Sequence, residues 1–485
     1  MKPDENPKNK WEDVDPDDYQ FHVTISKTGE ADERVVYMED LEKRKQVYGI
    51  CGECNEPGTG SHWCRPCNAK RFKDNFENWT SGNEDIDEFI QHSQLNAVYY
   101  TKLLEWIPYK NFEDVTYITR GGYGKIYSAR WPEGNIYSWN NESKNWERKR
   151  LKKVALKSLD DSLCTSAEFL NEIKTHLQIY LYDVIQCYGI TQDPDTKDYM
   201  MVLEFCEGGN LRNNYVKKSN NYYSKIHHLF NIASGLLDIH NAGKVHKDFH
   251  SGNILFGING SLIGDLGMCQ PSNEKQFKNE GTFGVLPYIA PEVLRGRSYT
   301  KASDIYSFGI MMNEYMSEEI PYNDVLHDYT LAIKICNGHR PSIFEYTPKL
   351  LTALITKCWD AKAENRPTAK ELFLILSKWD VKAKTRLTIE EFFQIFYKLG
   401  IEVNKDSEVR SQISDYDDNI RLNRSSEKKS NNNQTHAQAI YTTRHLNFKD
   451  LPEPMNSAPI SLCLDCQLDK SDLGEVNQSD ENNVA

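Results

Sequence analysis

Several things are scarce or missing in this sequence, and each absence removes a class of protein. No apolar run approaches the roughly 18 residues a membrane-spanning helix needs, so no membrane insertion is expected. The first stretch, Met1–Asp18, is charged and proline-bearing with no apolar centre, so no secretory leader is expected. Lysine and arginine form no long run and the net charge is −13, so neither nucleic acid nor an anionic membrane is an expected partner. Cysteine is too sparse for a disulfide scaffold, at 12 in 485 residues. With no leader these read as thiols or metal ligands, and the expected location is cytoplasmic. A mean hydropathy of −0.67 leaves much of the chain polar, although the rest can still form a core.

What is present centres on Val245–Ile254, V-H-K-D-F-H-S-G-N-I. Ahead of it, Ile226, Leu229, Phe230, Ala233, Leu236, Leu237 and Ile239 recur at helical spacing, predicting a helix over Tyr222–His240. A short strand is expected at Ile254–Phe256, and Asp265-Leu266-Gly267 follows. Asp248 and Asn253 share one loop, with Asp265 close behind. Metal-assisted phosphoryl transfer needs that set: one carboxylate to orient a hydroxyl, and an amide and second carboxylate to hold Mg²⁺ against ATP.

His246-Lys247-Asp248-Phe249…Asn253 resembles the H-R-D-L-x-x-x-N loop of eukaryotic protein kinases, and Asp265-Leu266-Gly267 resembles their D-F-G. The resemblance extends over about Phe112–Trp379. Gly121 and Gly124 match the second and third glycines of the kinase glycine-rich loop, with Thr119 at the first; no G-K-[S/T] follows, so this is not a Walker loop. Val154-Ala155-Leu156-Lys157 resembles V-A-I-K, and Glu172, in a helix expected over Ser166–Gln178, is placed to pair with Lys157. Tyr199–Gly209 resembles the hinge between kinase lobes. Ala290-Pro291-Glu292 matches A-P-E, and Arg366 is its implied partner. Asp304–Gly309 (D-I-Y-S-F-G) resembles the motif whose Asp supports the catalytic loop. The wording there and at Cys358-Trp359…Arg366-Pro367 is most similar to the tyrosine-kinase-like group of Ser/Thr kinases. Together with the cysteine pairs described below, the chain also resembles a lineage of such kinases expanded in some filamentous fungi.

That resemblance implies an α+β, bilobal fold. A small lobe with an antiparallel sheet and one helix (Phe112–Leu203) would join a larger helical lobe (Glu207–Trp379). It implies ATP and Mg²⁺ as cofactors and a protein substrate. The implied catalytic set is Lys157, Glu172, Asp248, Asn253 and Asp265, with Asn253 and Asp265 holding Mg²⁺. Ile118, Gly121, Gly124, Ile126, Ala155, Lys157, Leu203, Glu204, Cys206 and Leu255 would surround the nucleotide, with Leu203 as gatekeeper and the backbone of Glu204 and Cys206 on adenine. Besides Thr119, the departures from the pattern are Lys247 for the Arg of H-R-D, His250 where Ser/Thr kinases carry Lys, Val285 where they carry Thr, Gly252 where many tyrosine kinases carry Arg, and Leu266 for the Phe of D-F-G. The expected activity is transfer of the γ-phosphate of ATP to a protein Ser or Thr hydroxyl, with Tyr left open. The alternative is a nucleotide-binding pseudokinase acting as a scaffold.

The remaining segments are read from their residues. Cys51-Gly-Glu-Cys54 and Cys64-Arg-Pro-Cys67 present four thiolates to one tetrahedral Zn²⁺, a closed and therefore structural site within a knuckle over 46–75. A helix and a linker are expected over 83–111, with Asn83 as cap. Trp131–Lys152 reads as an inserted hairpin whose tryptophans Trp131, Trp139 and Trp146 pack on one another. The stretch from Lys362 to Lys378 recurs twenty residues later, with Thr368/Glu371 and Thr388/Glu391 as capping boxes, which predicts a duplicated last helix over 380–404. Residues 1–45 and 405–485 read as disordered, and Cys463 with Cys466 as incidental. The knuckle and the tail are the segments left to dock partners.

Overall fold

The computed structural model describes residues 22–24, 35–120, 124–159, 167–179, 183–213, 221–257, 260–272, 282–380, 389–401, 406–425 and 435–456. At the N-terminal end β1 (His22–Thr24) pairs in parallel with β2 (Val35–Tyr37). Helix α1 (Leu41–Tyr48) starts where the Asp40 carboxylate accepts the Lys43 N–H at 3.0 Å, and it ends at Gly49. Buried Arg44 donates to the carbonyls of Met38, Pro57 and Gly58 at 2.6–2.9 Å, holding the cysteine loop to α1. Helix α2 (Arg65–Lys73) starts behind Cys64 with Pro66 in its first turn. Helix α3 (Glu84–Asn96) is capped by Asn83, whose Oδ1 accepts from the N–H groups of Asp85 and Ile86.

The small lobe is built on a six-stranded sheet. Its strands are β3 (Glu105–Trp106), β4 (Glu113–Arg120), β5 (Gly124–Trp131), β8 (Lys152–Leu159), β9 (Cys187–Gln192) and β10 (Tyr199–Glu204), in the order β3-β9-β10-β8-β5-β4. Strands β6 (Asn135–Asn140) and β7 (Asn145–Lys149) form a separate hairpin. The sheet is antiparallel except at β3, which comes from the expected linker and adds in parallel to β9. Gly189 permits this, because a Cβ there would lie 2.0 Å from the Glu105 carbonyl oxygen.

The tryptophans divide. Trp139 and Trp146 pack edge to face, but Trp146 also stacks on Phe72 and Trp63 of the cysteine module. Trp131 lies apart, under the sheet with Phe112 and Tyr188. The inserted hairpin is therefore a clasp on the N-terminal module, not a self-contained cluster.

Helix α4 (Ala167–Gln178) packs between the sheet and α3. Phe169 and Ile173 meet Ile86, Ile90, Leu104 and Met201 in one apolar cluster. Ile86 and Ile90 are fully buried, worth about 1.5–3 kcal/mol each against exposure.

The large lobe is organised on α5 (Tyr222–Asn241). Two-residue β11 (Lys244–Val245) leads into the catalytic-type loop, followed by the β12 (Ile254–Gly257) and β13 (Gly260–Ile263) hairpin, β14 (Gln270–Pro271) against β11, and β15 (Thr282–Gly284). Then come α6 (Pro291–Leu294), α7 (Lys301–Ser317), α8 (Tyr329–Cys336), α9 (Lys349–Cys358) and α10 (Ala369–Trp379). Capping boxes start α7 at Thr300/Ser303 and α10 at Thr368/Glu371. Helix α11 (Ile389–Lys398) packs beside α10 through Phe396 on Trp379; Thr388 lies outside the described residues.

Within the stretch 405–485, read as disordered, the described residues are 406–425 and 435–456. Residues Asp406–Ser425 form α12, which buries Tyr416 and Ile420 against α5 and α7. Buried Lys225 donates to the Tyr315 carbonyl, to Glu318 and to the Tyr416 hydroxyl at 2.8–2.9 Å. Residues 435–456 then cross the large lobe, and β16 (Arg444–Leu446) pairs antiparallel with β15. A polar composition hid a sparse helical stripe, Ile413, Tyr416 and Ile420, whose burial the large lobe supplies. Cys463 and Cys466 lie outside the described residues.

Candidate active site and cysteine cluster

The floor of the site is the loop between β11 and β12. Asp304, buried at the start of α7, accepts from the backbone N–H of His246 at 2.8 Å, that of Lys247 at 3.1 Å and the His240 ring at 3.0 Å. His246 bridges inward: its Nδ1 accepts from the Asp248 N–H, so its Nε2 donates to the Gly264 carbonyl. These bonds lock the backbone that presents Asp248. The Asn253 amide nitrogen donates to the Asp248 carbonyl at 2.9 Å and to its Oδ2 at 3.2 Å, which leaves the Asn253 amide oxygen turned away as an acceptor.

Asp248 is buried, and its Oδ1 has no hydrogen-bond partner among the described residues. Burial works to raise its pKa. The His250 ring, 3.7 Å away, and a hydrogen bond from Thr443 outweigh this and hold the carboxyl below its ordinary range. His250 Nδ1 accepts the Gly252 N–H at 3.0 Å, so Nε2 is the nitrogen facing Asp248.

The roof supplies Lys157. Cross-strand register puts Ile126, Lys157 and Met201 on one face of the sheet, with Ser128, Ala155 and Leu203 beside them; Val154, Leu156 and Val202 point to the other face and fill a core. Lys157 Nζ lies 2.8 Å from Glu172 of α4 and 2.7 Å from Asp265 Oδ1. Burial opposes its charge, but the carboxylates of Asp265 and Glu172 outweigh burial and push its pKa up. The same ammonium holds Asp265 below the ordinary carboxylate range against burial. Asp265 takes the left-handed conformation (φ 54°), which turns its carboxylate back toward Lys157.

Three elements distant in sequence thus meet in one cleft: strand β8, helix α4 and the loop pair around Asp248 and Asp265. Buried anchors set the lobe below them. Arg366 grips Glu292 through two bonds of 2.7 and 2.8 Å. The Tyr288 hydroxyl donates to Glu314 at 2.6 Å.

The kinase family described as protein tyrosine and serine/threonine kinase matches residues 113–376, more than half of the chain. The chain belongs to this family. Within the family it is 27% identical over 283 residues to the Arabidopsis thaliana "Serine/threonine-protein kinase VIK", covering 55% of this chain and 60% of that protein. It is 24% identical over 282 residues to the Girardia tigrina "Tyrosine-protein kinase SPK-1", covering 56% and 52%. It is 30% identical over 224 residues to the Dictyostelium discoideum "Dual specificity protein kinase shkD", covering 45% and 30%. The chain spans less than two thirds of each of these kinases, and their names divide between hydroxyl types.

Around the cleft, Gly124, Ile126, Ala155 and Leu203 line up on β5, β8 and β10, and Leu255 packs from β12 below. Ile118 sits at the β4 irregularity and is half exposed. Gly121 lies outside the described residues. The Glu204 N–H is engaged by the Gln186 carbonyl, and Cys206 follows at the lobe junction, where its carbonyl accepts from Gly209.

The four cysteines converge elsewhere. The Sγ atoms of Cys51, Cys54, Cys64 and Cys67 all lie within 4.8 Å of one another, with Cys54 and Cys64 3.5 Å apart and Cys51 and Cys67 3.9 Å apart. A tetrahedral Zn–S bond of about 2.3 Å requires sulfur separations of about 3.8 Å. His62 is not part of this cluster. Trp63 ties the module down: its indole N–H donates to the Ala97 carbonyl at 2.8 Å.

Reading the sequence missed two features of the site. One is the approach of His250 to Asp248. The other is Thr443, whose hydroxyl donates to Asp248 Oδ2 at 2.6 Å. Nothing in the local sequence around Thr443 marks it.

Proposed function

We propose that this chain is an ATP-dependent protein kinase transferring the γ-phosphate to protein Ser or Thr hydroxyls in signalling. The observation that carries the reading is the closed constellation of Lys157 on both Glu172 and Asp265, facing Asp248 with its Asn253 partner. Lys157 positions the α- and β-phosphates and is itself positioned by Glu172. Asp248, ionised and buried, orients the acceptor hydroxyl and takes its proton. The residues fit Mg²⁺: Asp265 is ionised and its side chain one-third exposed toward the cleft, and the Asn253 amide oxygen is free to turn outward. Bound there, Mg²⁺ neutralises charge on the phosphates. Ile126, Ala155, Leu203 and Leu255 form the apolar walls for adenine, with the Glu204 and Cys206 backbone at its edge.

The cysteine cluster is read as a structural Zn²⁺ site, because four thiols crowd one point with no open position. Within the family, the wording of Asp304–Gly309 and Cys358–Pro367 supports placement in the tyrosine-kinase-like group. Partner docking through the cysteine module or the tail, and a cytoplasmic location, are proposed with it. Among the described residues no helix is long and apolar enough to cross a membrane.

The test is transfer from ATP labelled at the γ-phosphate to casein with Mg²⁺, followed by acid hydrolysis to identify the labelled amino acid. Label on Ser or Thr, absent from Asp248→Asn, is expected. Label on Tyr keeps the mechanism and overturns the hydroxyl assignment. Retained nucleotide binding with no transfer overturns the enzyme reading in favour of a scaffold.

A further inference from the structure

The tail segment that crosses the large lobe does so through the place a substrate must occupy. Strand β16 pairs antiparallel with β15, with Gly284 opposite Arg444, Phe283 opposite His445 and Thr282 opposite Leu446. Gly284 has φ 145°, and a Cβ there would lie 3.1 Å from Ile289 and 3.8 Å from Asp248 Oδ1. Glycine therefore lets this backbone run against the catalytic loop. The residue just before the paired strand is Thr443. Its hydroxyl donates to Asp248 Oδ2 at 2.6 Å, within the distance a proton acceptor needs.

The neighbouring hydroxyls are placed otherwise. Tyr441 packs its ring under Arg212 and donates its hydroxyl to the Pro321 carbonyl at 2.8 Å, and Thr442 is exposed. On either side the segment is pinned to the large lobe. His327 accepts the Ile440 N–H at 3.1 Å, Arg444 donates to the His327 carbonyl at 2.6 Å, and Arg295 forms a two-pronged pair with Glu453.

We propose that Thr443 is a phosphorylation site modified in cis: residues 440–446 are the chain's own substrate, seated in the active site, and their modification empties it. The inference rests on the kinase reading above and names its first substrate. In the step, the proton of the Thr443 hydroxyl passes to Asp248 and a bond forms from Thr443 Oγ to the γ-phosphorus of ATP. The bond from that phosphorus to the β–γ bridging oxygen breaks, and ADP leaves with the electron pair. The product carries about −1.5 to −2 charge directly against the Asp248 carboxylate. Like-charge repulsion there opposes the backbone pairing, so the segment leaves and the groove opens to substrates supplied in trans. Before that event the same segment competes with them.

The experiment uses the full chain with Mg²⁺ and ATP, mass spectrometry of the tryptic peptide over 430–444, and casein as the second acceptor. Fragmentation must separate Thr443 from Thr442 and Tyr441. Phosphate on Thr443 is expected, at a fractional rate independent of protein concentration. An Asp248→Asn chain mixed with wild type should stay unmodified at Thr443. Casein transfer should show a lag that pre-incubation with ATP removes. Thr443→Val keeps the strand and loses the acceptor, so the slow phase should persist; Thr443→Glu places a carboxylate against Asp248 and should start without a lag. Transfer to casein with no phosphate on Thr443 overturns the inference and leaves the kinase reading standing. Modification of the Asp248→Asn chain, at a rate proportional to concentration, overturns the cis assignment. No transfer to either acceptor overturns both readings.

Discussion

Two segments outside the kinase-matched residues 113–376 dock on them, and they do so by different physics. The lead-in, from the cysteine module through α3, joins behind α4. Its contact is apolar: Ile86, Ile90 and Leu104 share a cluster with Phe169 and Ile173. Buried Lys102 adds a polar lock by donating to the Ile179 and His176 carbonyls, which end α4. The tail at 435–456 joins in front through backbone pairing, ion pairs and a hydroxyl contact, with Leu446 and Leu451 as its buried apolar anchors. Apolar burial is lost only when the groups separate fully and water enters. Exposed polar contacts exchange with water at little net cost. The lead-in is therefore part of the structure that holds Glu172 on Lys157, whereas the tail, held by fewer buried apolar side chains and more by polar contacts, is the easier of the two to release.

The comparison breaks first at the metal. If Zn²⁺ holds the four cysteines, replacing Cys64 with Ser removes binding energy on the order of 10 kcal/mol from a module with a small core of its own. Wild type should carry one zinc per chain by elemental analysis and the variant none. Amide exchange over 41–73 should rise toward unfolded rates, while the large-lobe helices stay protected. A variant that keeps its protection without metal would sink the structural assignment.

A smaller loss should follow Ile90→Ala. Ile90 is fully buried at the α3–α4 contact, so the expected cost is about 2–5 kcal/mol. Urea denaturation should show it, and transfer to casein should fall because α4 holds Glu172 less firmly. A destabilised variant with unchanged transfer would separate the lead-in from the active site.

The smallest effect belongs to the tail. Arg295→Ala removes a pair in which Glu453 is 73% exposed, so stability should stay within about 1 kcal/mol of wild type. The measurable change should instead be a shorter lag in casein transfer. A large loss of stability would make the tail as structural as the lead-in.

Much of this protein was already legible as a string. Lys157, Glu172, Asp248, Asn253 and Asp265 could be picked out because the motifs around them resemble those of protein kinases, and the structure brings all five to one cleft. The cysteine pairs were legible because metal ligand spacing is local. Helices α3, α5 and α10 announced themselves by apolar period and by caps at Asn83 and Thr368, which act within one turn. What sequence could not decide depended on surfaces that exist only after folding. Strand β3 forms because Gly189 leaves room on a sheet edge more than eighty positions downstream. Trp146 leaves Trp131 for Phe72 and Trp63 because the hairpin and the cysteine module end up side by side. Helix α12 is too polar to bury itself and orders on a lobe that offers Tyr416 a pocket. Thr443 carries no local mark at all, because its place against Asp248 comes from a pairing between β15 and β16, whose partners lie about 160 positions apart. Local chemistry sets what a residue can do, while long-range packing sets which residue is there to receive it.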